Sequence, residues 1–425
     1  MKPAPHGAAT WNATIASVAS AFTRPSFDIF ADLVDGWVLT PGRRTITRII
    51  TVIDPGNRRA HDAYHRLLRD GVWRMDRLWA TLAVAIVDRF IAPDVAICLD
   101  LDDTVHHKTG RRIEGAGIFR DAVRSTRNRV VYGLGLNLVV ITVRVRPPWG
   151  GMPLGLPINV RIRRKTEGPT TVEHARQMLI EIASWLPDRR FQLACDGAYA
   201  NLCGAGLQHV QVTSRLRRDA AVYELTPPRT GKRGRPRKKG DRLPALAVMA
   251  AAATDWQTVT FDQRGTEIVR QVWSRQLLWY HVAKDTPLLL VVVRDPDGVQ
   301  PDDYFVTTDI AAEPGFIACH YAGRWSIEVT FRDEKQHLGG EDPQCWKRLG
   351  PERAACLALW LHATIWLWYL QVWGPQQSWT PPPGIRPRPH RRSPTRSPHY
   401  APACGANELH QCAPPSRSRS IFETS

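Results

Sequence analysis

Apolar positions in the first ninety residues recur at helical spacing. The pattern is densest from Met75 to Phe90 and shorter from Ala60 to Asp70, so residues 1–90 are expected to be helical. From Val95 the texture changes to brief apolar runs. Val95 to Leu99 reads as a buried strand leading into Asp100, Asp102 and Asp103. Val130 to Val145 is long, β-branched and interrupted by Gly133 and Gly135, as a strand pair or a bent strand would be, and Gly155 to Arg163 offers another strand. Thr170 and Glu173 form a capping-box pattern that opens a helix through Met178, Leu179, Ile182 and Trp185, with Pro187 ending it. Phe191 to Cys195 is then a strand delivering Asp196 at its C-terminal end. The order is strand, strand, strand, helix, strand, with acids at the ends of the first and fourth strands.

Val210 to Leu216 is a further strand, and a basic loop follows. Between Arg229 and Arg242 lie eight Lys or Arg residues and one acid, Asp241. The next region reads as β: Trp256 to Phe261, Leu277 to Val282, Leu288 to Val293 and Phe305 to Thr308. A helical pattern returns from Ala312 to Leu338. Ala354 to Leu370 is apolar apart from His362 and Thr364 and carries Trp360, Trp366 and Trp368. At that length it lies at the lower edge for a membrane span, and a buried core helix is expected. From Gln371 onward the chain is rich in Pro, Arg and Ser with almost no apolar periodicity, the composition of a disordered tail. A frameshift in a GC-rich gene and a genuine DNA-binding tail are the two accounts of it.

Composition narrows the class. The 425 residues are 43% hydrophobic and 23% charged, ordinary globular material for two or three domains. Fifty-seven Lys and Arg stand against 40 acids, a formal charge of +17, which points to a polyphosphate partner and most simply to nucleic acid. The eight cysteines include no C-x-x-C pair, so neither zinc nor a disulfide framework is signalled. The N-terminus lacks the pattern of a signal peptide, and a reducing cytoplasm is the expected home.

The sharpest chemical signal is Tyr321, Arg324, Glu328 and Lys335. At about 100° per residue these offsets fall within roughly 60° of one another, so the four share one stripe of a single helix. The plainer account is a solvated face with pairs such as Glu328 and Arg332. Adjacent parallel strands could bring Asp196 beside Asp102 or Asp103, with Glu328 alongside. Converging carboxylates repel unless a hard divalent cation sits between them, and Mg²⁺ suits carboxylate oxygens plus waters. Two such ions about 3.5–4 Å apart could clamp an in-line phosphodiester displacement.

At these residues the chain resembles the DDE transposases of bacterial insertion sequences, and more narrowly the subgroup with the signature Y-(2)-R-(3)-E-(6)-K. Tyr321, Arg324, Glu328 and Lys335 match its four positions and three gaps, and Asp102-Asp103-Thr104 meets the Asp-x-Thr pattern of the first acid. Asp196, followed by Gly197 and Tyr199, matches the second. The resemblance runs from about residue 60 to 370. It implies an α/β fold: an RNase H-like mixed-sheet core interrupted by a β-rich insertion, with a helical N-terminal region. The divisions are a helical DNA-binding region (1–90), the first part of the core (91–220), the basic loop and β-rich insertion (221–311), the second part of the core with the catalytic helix (312–371), and the tail (372–425).

The resemblance further implies Asp102, Asp196 and Glu328 as catalytic metal ligands for Mg²⁺, with Mn²⁺ as a substitute and Asp103 as the alternative first acid. It implies Tyr321, Arg324 and Lys335 as phosphate contacts. The activity would be cleavage of double-stranded DNA at transposon ends and attack of a 3′-hydroxyl on target DNA, by a homodimer in the cytoplasm, nucleoid-associated when bound to DNA. No membrane and no small-molecule substrate are expected. A catalytically inactive relic that only binds DNA is the alternative; a plain nuclease without strand transfer is a third, disfavoured by the Tyr–Arg–Glu–Lys spacing. Arg233, Arg235, Arg237, Lys238 and Lys239 form a candidate DNA-binding loop, with Arg233-Gly234-Arg235-Pro236 resembling the core of an AT-hook. Trp273 and Trp279 are expected to be core residues rather than stacking platforms for an unpaired base. His106 and His107 are expected in a surface loop.

Overall fold

The computed structural model describes residues 7–121, 124–126, 128–165, 167–228, 236–264 and 266–373. Five helices come first: α1 (Gly7–Ala16), α2 (Arg24–Leu39), α3 (Ile46–Ile53), α4 (His61–Arg69) and α5 (Met75–Phe90). Strands β1 (Ile97–His107), β2 (Gly117–Arg120), β3 (Tyr132–Val145) and β4 (Leu154–Arg163) follow, then α6 (Thr171–Trp185), β5 (Phe191–Cys195), a 3-10 turn (Gly197–Gly204) and β6 (Val210–Arg215). The chain continues through α7 (Leu246–Ala252), β7 (Gln257–Gln263), β8 (Thr266–Leu277), α8 (Tyr280–Ala283), β9 (Leu288–Arg294) and β10 (Asp303–Thr307). It ends in α9 (Pro314–Gly323), α10 (Trp325–His337) and α11 (Gly350–Val372).

All ten strands belong to one mixed sheet, ordered β2-β3-β1-β5-β6-β10-β9-β8-β7, with β4 also paired to β3. β1 is antiparallel to β3 and parallel to β5, and β5 is parallel to β6. β10 then joins β6 antiparallel, so the β-rich stretch between the second and third acids extends the central sheet. Near-continuous apolar runs in β3, β4, β5 and β9 suit strands covered on both faces.

The capping box of α6 is formed: the Thr170 hydroxyl accepts from the Glu173 amide, and Glu173 accepts from the Thr170 amide. α11 is long and apolar enough to cross a membrane, yet it packs against α1, α4, α5 and β4, with Trp360 and Leu361 buried. Trp279 is buried and Trp273 partly buried against the main core. The Pro/Arg/Ser tail beyond residue 373 lies outside the described residues, as do Arg233 and Arg235 of the basic loop.

Several sequence expectations are corrected. β1 does not end at its acids: Asp102 and Asp103 sit mid-strand opposite Val140 and Val139, because β3 goes on pairing with β1 beyond the last residue of β5. Leu277 to Val282 is no strand; β8 closes at Leu277 and a short helix follows. The segment 312–338 is two helices meeting at Arg324, whose amide bonds to the Tyr321 carbonyl in a tighter turn. His106 and His107 are not in a loop. They are the last residues of β1, and His106 is fully buried.

Candidate active site

The register of three strands builds the site. The parallel β1–β5 ladder ends at Leu101 opposite Cys195, so Asp102 and Asp196 are the next residues on neighbouring strands. Parallel neighbours lie about 4.8 Å apart, which places the two acids side by side at one edge. Asp196 caps the 3-10 turn after β5, accepting from the Gly197 amide, and stays exposed.

Alternation along β1 separates Asp102 from Asp103. Asp102 turns toward α10, where its Oδ2 accepts from Nη1 of Arg324 at 2.6 Å. Asp103 turns the other way, accepting from the Tyr199 hydroxyl at 3.0 Å and from Asn137 at 2.7 Å. Nη2 of Arg324 reaches Oε1 of Glu328 at 3.0 Å, so one guanidinium bridges Asp102 and Glu328. The i, i+4 partner of Glu328 is thus Arg324; Arg332 pairs instead with Asp333. The Nε of Arg324 is buried and finds no hydrogen-bond partner.

Burial pushes the Asp102 carboxyl up to about 6, against the pull of Arg324. Burial raises Glu328 as well, with Arg324 and Arg264 opposing and Asp196 reinforcing the shift, which places Asp196 within the same electrostatic field. Arg324 is itself buried, yet its acidic neighbours, Asp102 foremost, hold its charge on. Tyr321, at the end of α9, stacks on Phe305 with ring centroids 4.2 Å apart, and burial raises its phenol. Lys335 turns away from the acid trio: its Nζ donates to the Val105 carbonyl at 2.8 Å and lies 3.7 Å from Glu341. The four-residue stripe is therefore split. Arg324 and Glu328 face Asp102, Tyr321 packs beside Arg324, and Lys335 fastens α10 to β1.

A supporting layer beneath these residues was not foreseen from sequence. Asp100, two residues before Asp102 on the same face, accepts from Nε and Nη2 of Arg144 and from the Ser326 hydroxyl at 2.9 Å. Nη1 of Arg144 lies 3.2 Å from His320 Nδ1. Farther along, His106 Nε2 meets Glu334 Oε2 at 3.1 Å, both fully buried, and Thr330 donates to the Gly155 carbonyl. His107 lies between Asp121 at 2.8 Å and Glu341 at 3.1 Å. The alternation of Asp100, Asp102, Thr104 and His106 along one face of β1 was the available signal for this layer, since a strand carrying so many polar residues into a core must find them partners.

Of the basic loop, Arg237 pairs with Asp241 at 2.7 Å, Lys239 lies over the Tyr223 ring at 3.7 Å, and Lys238 is exposed.

Hard oxygen donors are what the site offers. Among the described residues no three His, Cys, Asp or Glu side chains are gathered closely enough to hold a metal ion, and Arg324 stands between Asp102 and Glu328. The donor set itself suits a hard divalent cation such as Mg²⁺: Asp102, Asp196 and Glu328 offer carboxylate oxygens, two of the three carboxylates being held at present by Arg324.

Fold and site define a mixed α/β protein consistent with the RNase H-like fold, with acids collected at the edge of a parallel strand pair. The family model of the DDE superfamily endonucleases matches residues 18–281, more than half of the chain, and the chain belongs to that family. Its activity is thereby of the nuclease or transposase type, with DNA as substrate and divalent metals as the usual cofactors of the family. The match spans Asp102 and Asp196 and stops short of α9 and α10. No curated protein matches the chain.

Proposed function

We propose that the chain is a cut-and-paste DNA transposase of the insertion-sequence type with the Tyr–Arg–Glu–Lys signature. The observation that carries the reading is the meeting of Asp102 and Glu328 on one guanidinium, with Asp196 on the strand beside Asp102. Asp102, Asp196 and Glu328 would hold Mg²⁺, or Mn²⁺ in its place, which supplies charge stabilisation and an activated oxygen for phosphodiester hydrolysis and strand transfer. Asp103 is left to structure, because Tyr199 and Asn137 occupy its carboxylate.

Arg324 and Tyr321 grip the phosphate beside the acids; Lys335 joins them by exchanging its carbonyl partner for DNA. The 3′-hydroxyl freed at a transposon end then attacks target DNA. Residues 1–90 are the DNA-binding region, 91–220 and 312–371 the two parts of the core, 221–311 the insertion with its basic loop, and 372–425 an appended tail. Two ends call for a homodimer, acting in the cytoplasm on the nucleoid. A relic that binds DNA without cutting is the second reading, and the arginine already neutralising two of the three acids is the observation on its side.

The test is cleavage of DNA spanning the gene's own flanks by the full chain in Mg²⁺ or Mn²⁺, with Glu328→Ala and Asp196→Ala alongside. Metal-dependent nicking at a gene end, lost in both variants while DNA binding survives, is the expected result. Binding without nicking in either metal favours the relic.

A further inference from the structure

A further cation stands close to the acidic site, supplied by a distant part of the chain. β7 and β8 form a hairpin whose ladder closes at Gln263 opposite Thr266. Arg264 follows Gln263 in the left-handed backbone region, with φ 56°. The hairpin is anchored by α9, which packs on both β7 and β8; a Cβ at Gly315 would collide with Val259 of β7 at 2.8 Å. This docking carries the hairpin tip over the start of α10. There the Arg264 guanidinium lies 3.4 Å from the ring centroid of Trp325, the residue between Arg324 and Ser326.

We propose that Arg264 is a DNA-phosphate contact of the active site, supplied by the sheet extension and preset by its stack on Trp325. The inference rests on the transposase reading above. Three observations carry it. Arg264 is exposed, and it forms no ion pair among the described residues, so its charge is unspent. A guanidinium laid flat on an indole is held by cation–π attraction and keeps its N–H edges free for an oxyanion. Its platform, Trp325, is next in the chain to Arg324, whose guanidinium holds Asp102 and Glu328, so Arg264 stands beside the acids and not at a remote surface. Arg324 pairs with Glu328 while Arg264 lies over the neighbouring Trp325. A phosphate chain drawn between them has a cation on either side while the carboxylates stay available.

The experiment measures affinity of the full-length protein for duplex DNA from the gene's flanks across a range of NaCl concentrations. Wild type is compared with Arg264→Ala, Arg264→Lys and, as a remote exposed arginine on α6, Arg176→Ala. One lost phosphate contact lowers the slope of log K against log[salt] by about 0.9 and weakens binding about five- to tenfold at 0.1 M salt. Arg264→Ala is expected to show both changes, Arg264→Lys to keep most of the slope, and Arg176→Ala to match wild type. Replacing single phosphates by neutral methylphosphonates then locates the contact: wild type is weakened at one or two positions where Arg264→Ala is indifferent. A slope and affinity for Arg264→Ala equal to wild type would overturn the inference alone. Failure of wild type to bind DNA at all would overturn the transposase reading and this inference with it.

Discussion

Beneath the acidic site a single buried carboxylate, that of Asp100, gathers Arg144 from β3 and Ser326 from α10. Breaking such a pair leaves a guanidinium in a low-dielectric interior, which costs about 3–5 kcal/mol. Asp100→Ala is therefore expected to lower unfolding free energy by that amount in urea titrations, and Ser326→Ala by about 1 kcal/mol, the usual contribution of one hydrogen bond. A second residue gives a pH signature. Burial in α11 draws the His362 imidazole down to about 4, with Glu334 and Asp333 opposing and His337 adding to the shift. The unfolded chain, with an imidazole near 6.5, takes up a proton first, so stability is full above pH 6.5 and falls as pH drops toward 4, by up to about 3 kcal/mol. His362→Leu should flatten that part of the stability profile; an unchanged slope would show that other groups govern it.

Which of two adjacent acids serves the site is also a residue-scale question, and sequence leaves it open. Asp102 and Asp103 are equivalent in composition and both satisfy a strand-end reading. Only the pleat of β1 and the position of α10 distinguish them, and those depend on β3 pairing past the end of β5. His106 misled for the same reason: with β1 taken to stop early, its polar residues fall in a loop. In the fold His106 faces Glu334 inside the protein.

At the scale of elements, periodicity located β3, β4, β5, β6, β9, α5 and α6 closely, because each is covered by neighbours and carries a clean apolar pattern. The capping box of α6 was legible too. Thr170→Ala should cost about 1 kcal/mol in thermal or urea unfolding and leave DNA binding unchanged, since α6 packs on β3 and β4, away from the Asp102 face of β1. β8 was missed. It lies near the sheet edge and only two of its residues are buried, Arg270 and Arg275 being partly so, so alternation is blurred. The break between α9 and α10 was invisible because Gly323 and Arg324 interrupt no apolar pattern. Gly323 is needed for a close approach: a Cβ there would lie 2.5 Å from Nη1 of Arg144. Gly323→Ala is expected to displace Arg144 or the helix junction, reducing cleavage more than DNA affinity; equal losses in both would mean that the whole fold has loosened.

For the whole molecule, a charge of +17 and the order of strands around Asp196 gave the class, and the four-point spacing of Tyr321, Arg324, Glu328 and Lys335 gave the resemblance. Neither could show that β7–β10 prolong the central sheet through β6, which is a long-range pairing with no local signature. That continuity has a functional consequence. It sets the β7–β8 hairpin beside α10, with Arg264 over Trp325.

The central claim is that Asp102, and not its neighbour, joins Asp196 and Glu328 in a metal-dependent cleavage site. Asp102→Asn and Asp103→Asn, both folded by circular dichroism, should be compared for Mg²⁺-dependent nicking of flank DNA at equal DNA occupancy. The account predicts nicking abolished in Asp102→Asn and kept within about tenfold of wild type in Asp103→Asn, where only a hydrogen-bonded support is altered. The reverse pattern, with Asp103→Asn inactive and Asp102→Asn active, would contradict it.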